Sequence, residues 1–157
     1  MRGRERLETY LREHGVRYEL TPHPEAYTAQ EVAAAEHVPG RQFAKVVIAD
    51  VDGRQVMLIL PAAARVDLVK LKNALGAKAA RLAREEEFAS LFPDCETGAM
   101  PPFGHLYDVP VYLDQSLSTQ PRIVFNACSH RETIALTVQD YLRLVTPTVA
   151  EFATPHR

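Results

Sequence analysis

Phe43-Ala44-Lys45-Val46-Val47-Ile48-Ala49, then Asp52-Gly53, then Gln55-Val56-Met57-Leu58-Ile59-Leu60 is the stretch from which the fold can be read. Two apolar, β-prone runs separated by an Asp-Gly turn predict a β-hairpin, because that dipeptide tolerates the positive φ a tight hairpin turn needs. Lys45 interrupts the first run. Alternate strand residues share a face, so Lys45 lies beside Phe43 and Val47, while Ala44, Val46 and Ile48 form the other face. Both faces are apolar, as in a strand covered on both sides. A lysine there loses hydration unless its amine reaches water, a carboxylate or a bound anion. The pattern leaves two readings open: snorkelling at a strand edge, and a cation aimed into a cleft.

On the N-terminal side, Leu7, Tyr10, Leu11 and His14 recur at helical spacing, and Gly15 ends that helix. Residues 16–20 predict a short strand. Thr21-Pro22-His23-Pro24 is expected to be irregular, since two prolines fix φ and remove donors. Thr28-Ala29-Gln30-Glu31 is a capping box that opens a second helix, and Val38-Pro39-Gly40 stops it. On the C-terminal side, Asp67 is placed to cap a helix carrying Leu68, Leu71 and Leu75, with Gly76 as its stop. A short helix is expected over 85–91 and a Pro/Gly-rich loop over 92–104. Strands are expected over 109–113, 123–128 and 133–138. Asp140 is expected to cap a last helix through Tyr141, Leu142, Leu144 and Val145. Two strand pairs are joined too closely for crossover helices. The class is therefore α+β, a mixed α/β domain and not a doubly wound parallel sheet.

A chain of 157 residues suits one domain, 1–157, large enough to bury a core without staples. Its 46% hydrophobic and 24% charged residues are globular composition. Lys plus Arg is 18 against 20 Asp plus Glu, a net charge of −2, which argues against coating nucleic acid through bulk charge. Local contact with a phosphate remains open. Cys95 and Cys128 supply neither a disulfide framework nor a four-thiolate zinc site, and reduced thiols are expected. The run Met1-Arg2-Gly3-Arg4-Glu5-Arg6 has no apolar signal core. The longest apolar run, 56–64, contains Pro61 and is far short of the roughly 20 residues of a membrane span. A cytoplasmic protein is expected.

Three places could carry chemistry. Lys45 is the first. The second is Gly98-Ala99-Met100-Pro101-Pro102-Phe103-Gly104, where prolines stiffen the loop and glycines permit close backbone approach. Such a loop can aim fixed N–H groups at a developing oxyanion, although most Pro/Gly loops are connectors. The third is Cys128-Ser129-His130. Neighbours in a strand point to opposite faces, which argues against a Ser–His nucleophile and base in contact. Cys95, His105, Cys128 and His130 lack the paired spacing of structural zinc sites. No phosphate-loop or dinucleotide motif is present, and no cofactor is implied.

Taken in order, His23-Pro24, Thr28 to Ala33, Val38-Pro39-Gly40 with Phe43 to Val47, Leu60-Pro61-Ala62, Gly98 to Gly104, and Phe125 to His130 resemble the YbaK/ProX family. That family is also called the prolyl-tRNA synthetase-associated domain, and similar domains form the editing insertion of bacterial prolyl-tRNA synthetases. The resemblance runs from about Tyr18 to Val145. It implies a mixed, partly barrel-like β-sheet surrounded by helices. It implies a free-standing hydrolase that deacylates mischarged aminoacyl-tRNA, with the acceptor end as ligand and prolyl-tRNA synthetase or another synthetase as a transient partner. Lys45 would be the central functional residue and Gly98 to Pro102 part of the aminoacyl pocket, with Ser129 and His130 nearby. One departure is visible: a glycine usually precedes the Ser-His pair, and here Cys128 stands there. It bears on the shape of the pocket and the amino acid accepted.

An aminoacyl ester is already activated, so a positioned water suffices without a protein nucleophile. On this reading Lys45, Gly98 and His130 are the catalytic candidates. His23, Thr28, Phe43, Ala99, Met100, Pro101, Pro102 and Ser129 are the substrate-binding candidates. The N–H groups of Gly98 and Ala99 would face the oxyanion. Lys45 would hold the terminal phosphate or ribose, since an unperturbed lysine is protonated at neutral pH and makes a poor base. A small side chain is expected, alanine, serine, threonine or cysteine, with tRNA(Pro) as carrier, because a second sieve admits what is small. The alternatives are a module of the same fold that binds tRNA or another ligand without hydrolysis, and a Ser–His or Cys–His esterase.

Overall fold

The computed structural model describes residues 3–155, so Met1 and Arg2 of the charged N-terminal run lie outside the described residues. The elements in chain order are α1 (Gly3–Glu13), β1 (Glu19–Pro22), α2 (Ala29–Ala35), β2 (Ala44–Val51), β3 (Arg54–Pro61), β4 (Ala64–Val66), α3 (Leu68–Leu75) and β5 (Ala80–Leu82). They continue as α4 (Glu85–Phe88), β6 (Val111–Asp114), α5 (Gln115–Ser118), β7 (Arg122–Asn126), β8 (Glu132–Thr137), α6 (Val138–Val145), β9 (Thr148–Ala150) and β10 (Ala153–Pro155).

The predicted hairpin is the spine. β2 and β3 pair antiparallel from Ala44↔Pro61 to Val51↔Arg54. Only Asp52 and Gly53 remain for the turn, at φ 50° and 87°. Both positive values are what the tightest hairpin turn demands, which is why this dipeptide folds here. The hairpin sits inside a five-stranded sheet of order β5-β2-β3-β6-β9, with β6 and β9 parallel to their neighbours. A three-stranded antiparallel sheet, β1-β8-β7, and the pair β4–β10 complete the strands. The mixed α/β class is as expected. Among the described residues the strands divide into three sheets and none closes into a barrel.

Side-chain alternation decides where the core lies. Met57 and Ile59 of β3 join Ala44 and Ile48 of β2 in a layer facing Ile123, Phe125, Ile134 and Leu136 of the smaller sheet, with α1 and α6 also contributing. Val56, Leu58 and Leu60 turn the other way, onto Leu71 of α3 and Phe152. A third cluster, Val32 and Ala33 with Phe43, Ala62 and Val124, lies where α2 covers the outer face of β7. The hairpin is thus buried on both sides, as its two apolar faces require.

Several boundaries differ from the sequence reading. The first strand begins at Glu19 and runs through Pro22, beyond the expected end at residue 20. Proline is tolerated there because β1 is an edge strand, paired only with β8. The last helix is capped by Thr137, whose hydroxyl accepts the Asp140 N–H at 3.1 Å, and not by Asp140 itself. β7 stops at Asn126, so Cys128, Ser129 and His130 form a turn and not a strand end. Thr28 and Asp67 cap as predicted, and Gly76 closes α3 at φ 63°.

Candidate active site

β2 meets the smaller sheet through one bridge, Phe43↔Val124, where the two strands run parallel. Two residues further along each strand, on the same faces, come Lys45 and Asn126. Asn126 pairs across the antiparallel ladder with Thr133, whose hydroxyl donates to the Glu36 carboxylate at 2.7 Å. Glu36 closes α2 and lies 3.7 Å from His23 Nε2. Polar groups therefore line up at the margin of the apolar patch under α2. Lys45 is half-buried, and desolvation pulls its pKa below the ordinary lysine value. Asn126 is buried, and its Oδ1 has no hydrogen-bond partner among the described residues.

A second group gathers at the Gly98 loop. Gly98 is exposed at φ 89°, a backbone conformation that side chains disfavour. A Cβ at this position would stand 3.6 Å from the His130 ring. His130 is buried and fixed from three sides. Its backbone N–H meets the Glu96 carboxylate at 3.3 Å, its Nε2 meets the Thr97 carbonyl at 3.1 Å, and the Tyr27 ring packs on it at a tilt, 4.7 Å between centroids. A carbonyl can only accept, so Nε2 carries the hydrogen and Nδ1 is left as an acceptor. That Nδ1 is buried without a partner among the described residues.

The two groups share one connection. His23 N–H donates to the Arg131 carbonyl at 2.8 Å, and Ala26 N–H donates to the His130 carbonyl at 3.2 Å. The Pro-rich segment before α2 thus straps the His130 turn to the helix that covers Phe43, two residues before Lys45 in the chain.

The other expected residues divide. Phe43, Ala99 and Met100 are buried in the core, Phe43 and Ala99 completely, so they shape the wall from behind. Pro101 and Pro102 are buried too, and the Pro102 carbonyl accepts the Tyr141 hydroxyl at 2.7 Å. Ala99 N–H is engaged by the Glu96 carbonyl at 3.0 Å, whereas among the described residues Gly98 N–H meets the Met100 sulfur alone, at 3.3 Å. Thioether sulfur is a weak acceptor, so of the two donors expected at an oxyanion Gly98 is the available one. The Thr28 hydroxyl is taken up by the Glu31 N–H of its own cap. The Ser129 hydroxyl accepts the Arg131 N–H at 3.2 Å, which braces the turn.

One expectation is overturned. Cys95 and Cys128 are not separate thiols but a disulfide, with their Cα atoms 4.4 Å apart. The Glu96 N–H to Cys128 carbonyl bond of 2.9 Å brings the start of the loop against the turn, a proximity that linear spacing does not reveal. Cys128 has φ 68°, the left-handed region that glycine enters most easily. Asn126, Glu36, Glu96 and Tyr27 went unnoticed as site neighbours. Asn126 alone carried a signal, a polar residue closing an apolar strand.

Comparison with known proteins places the chain and its fold. The family model for the aminoacyl-tRNA editing domain matches residues 23–144. The chain is 32% identical over 109 residues to the proline–tRNA ligase of Bacillus cytotoxicus, covering 69% of this chain and 19% of that enzyme. It is 34% identical over 110 residues to the proline–tRNA ligase of Shouchella clausii, covering 70% and 19%. The chain thus spans about a fifth of the length of these curated relatives. A crystal structure described as a candidate trans-editing enzyme for prolyl tRNA synthetase superposes with a TM-score of 0.83 at 25% identity, over 97% of each chain.

Proposed function

The chain belongs to the aminoacyl-tRNA editing domain family, and from that premise we propose that it hydrolyses mischarged aminoacyl-tRNA carrying a small amino acid, with tRNA(Pro) as the expected carrier. The observation that carries the reading is the Gly98–His130 arrangement. It is a weakly engaged N–H donor at an exposed, positive-φ glycine, set against a histidine whose tautomer is fixed by the Thr97 carbonyl.

The chemistry is a water attack on the ester carbonyl. The terminal ribose hydroxyl leaves, the amino acid is released, and the tRNA is regenerated. Gly98 N–H, held by a weak sulfur contact, turns to the oxyanion as it forms. His130, held through Nε2 by the Thr97 carbonyl, fixes the Gly98 loop, and its buried Nδ1 becomes an acceptor for the attacking water or the substrate ammonium once the exposed loop shifts to admit the ester. Lys45 supplies the cation for the terminal phosphate or ribose, and its partial burial strengthens that contact relative to bulk water. Ser129 braces the turn by accepting the Arg131 N–H, and the activated ester needs no serine nucleophile. A synthetase partner would deliver the charged tRNA, and the acceptor end is the part that carries the ester to be cleaved.

The test is to incubate the protein with tRNA(Pro) and other tRNAs charged with small amino acids and to measure free amino acid and retained complex together. Release of amino acid with intact tRNA supports the hydrolase. Stable capture of charged tRNA without release would replace it with the binding module.

A further inference from the structure

The Cys95–Cys128 bond joins the two segments that carry the exposed parts of the site. Cys95 precedes Gly98 by three positions and Cys128 precedes His130 by two. Apart from the disulfide, the hydrogen bonds holding these segments together are few: Glu96 N–H to the Cys128 carbonyl, His130 N–H to the Glu96 carboxylate, and His130 Nε2 to the Thr97 carbonyl. Neither segment lies in a strand or an α-helix.

Two further features bear on the bond. Cys128 holds a left-handed backbone at φ 68°, a conformation that costs a non-glycine residue about 1–2 kcal/mol, so a side chain there must be stabilised by what it touches. Both cysteines also line a solvent-open cavity of about 730 Å³. On its α1 side the bond is covered closely by Gly3, where a Cβ would fall 2.7 Å from the Cys128 sulfur. Gly3 and Arg4 of α1 line the same cavity, so a small thiol entering it meets the less buried Cys95 first, while Gly3 shields the Cys128 sulfur.

We propose that Cys95 and Cys128 form a reversible thiol–disulfide site for small disulfides of the glutathione class, and that closing the bond tightens the Gly98 loop against His130. Its effect on turnover rests on the deacylase reading, but the exchange chemistry does not. In the forward direction the Cys95 thiolate, from the less buried of the two residues, attacks one sulfur of the small disulfide and expels one small thiolate. The Cys128 thiolate then attacks the Cys95 sulfur of the mixed disulfide and expels the second. Two protein thiols become one disulfide, one small disulfide becomes two thiols, and the two protons pass to the leaving thiolates.

The test holds the whole chain in glutathione buffers from fully reduced to fully oxidised, then alkylates it and weighs it intact. Amide hydrogen exchange over 96–100 and 129–131 is followed in parallel. Two alkylatable thiols under reduced glutathione and none under oxidised glutathione are expected. Oxidation should slow amide exchange in both segments by about tenfold, an effect of the size a local tether has on opening. Cys95→Ser should show no redox-dependent change in exchange. Thiols that remain alkylatable in oxidised glutathione, a persistent glutathione adduct, or equal exchange in both states would overturn the proposal. Where charged tRNA is turned over, the oxidised form should be about threefold faster through a better ordered loop. Equal rates would overturn the coupling to catalysis. A protein inert on every tRNA would still be judged by its thiols and its exchange.

Discussion

At the residue scale, the site rests on backbone angles and burial more than on reactive side chains. Gly98 shows this best. Gly98→Ala should lose at least about tenfold in deacylation, since the oxyanion donor is displaced. It places a Cβ at φ 89° and 3.6 Å from His130, with strain of about 1–2 kcal/mol. A thermal melt should show only a modest fall, because Gly98 is exposed and contributes little to the core. Lys45 supplies a pH signature. Burial disfavours its ammonium, so its pKa lies lower in the folded than in the unfolded chain. The sign follows: the folded state gains stability as pH rises through the lowered pKa, while anion binding, which needs the proton, is lost over the same window. The affinity for uncharged tRNA should therefore weaken below the ordinary lysine range near about 10.4, and Lys45→Arg should flatten that limb. Titrated binding curves that coincide for the two proteins would contradict the assignment.

At the element scale, the elements with strong local chemistry were legible. The hairpin showed through Asp52-Gly53, α2 through its capping box, and α3 through Asp67 and Gly76. β4, β5, β9 and β10 were not, because each is a three-residue strand held by pairing, with no period of its own. Asp114 was missed because the N–H groups it accepts from Phe152 and Ala153 lie far along the chain. Its buried carboxylate accepts the N–H groups of Phe152 and Ala153 at 2.9 and 3.0 Å and that of Ser116 at 3.2 Å. It ties the C-terminal segment to the large sheet. Asp114→Ala should lower stability by about 3 kcal/mol in urea unfolding, since buried donors lose their acceptor. A loss under about 0.5 kcal/mol would show those bonds to be replaceable by water. Of the candidate site, Lys45, the Gly98 loop and His130 stood out in the sequence, and the structure brings the last two together. The disulfide and the role of Glu96 were not, because both depend on two loops meeting in space.

At the scale of the whole molecule, a net charge of −2 fits a protein that grips only the end of a tRNA. Two to four phosphate contacts would give a logarithmic salt slope of about −2 to −4, against about −6 or steeper for a broad basic face. Filter binding across salt concentrations separates the two. Among the described residues no helix is long and apolar enough to cross a membrane. The fold sets the Gly98 loop against the His130 turn and leaves Lys45 half-buried in the large sheet. The decisive measurement is amino acid release from tRNA(Pro) charged with alanine, serine, threonine or cysteine, by wild-type protein and Lys45→Ala side by side. Wild-type protein should clear at least one of these esters, with Lys45→Ala slower by about two orders of magnitude, the scale of a lost orienting contact. A wild type inert on all four, or a variant as fast as the wild type, would contradict the assignment.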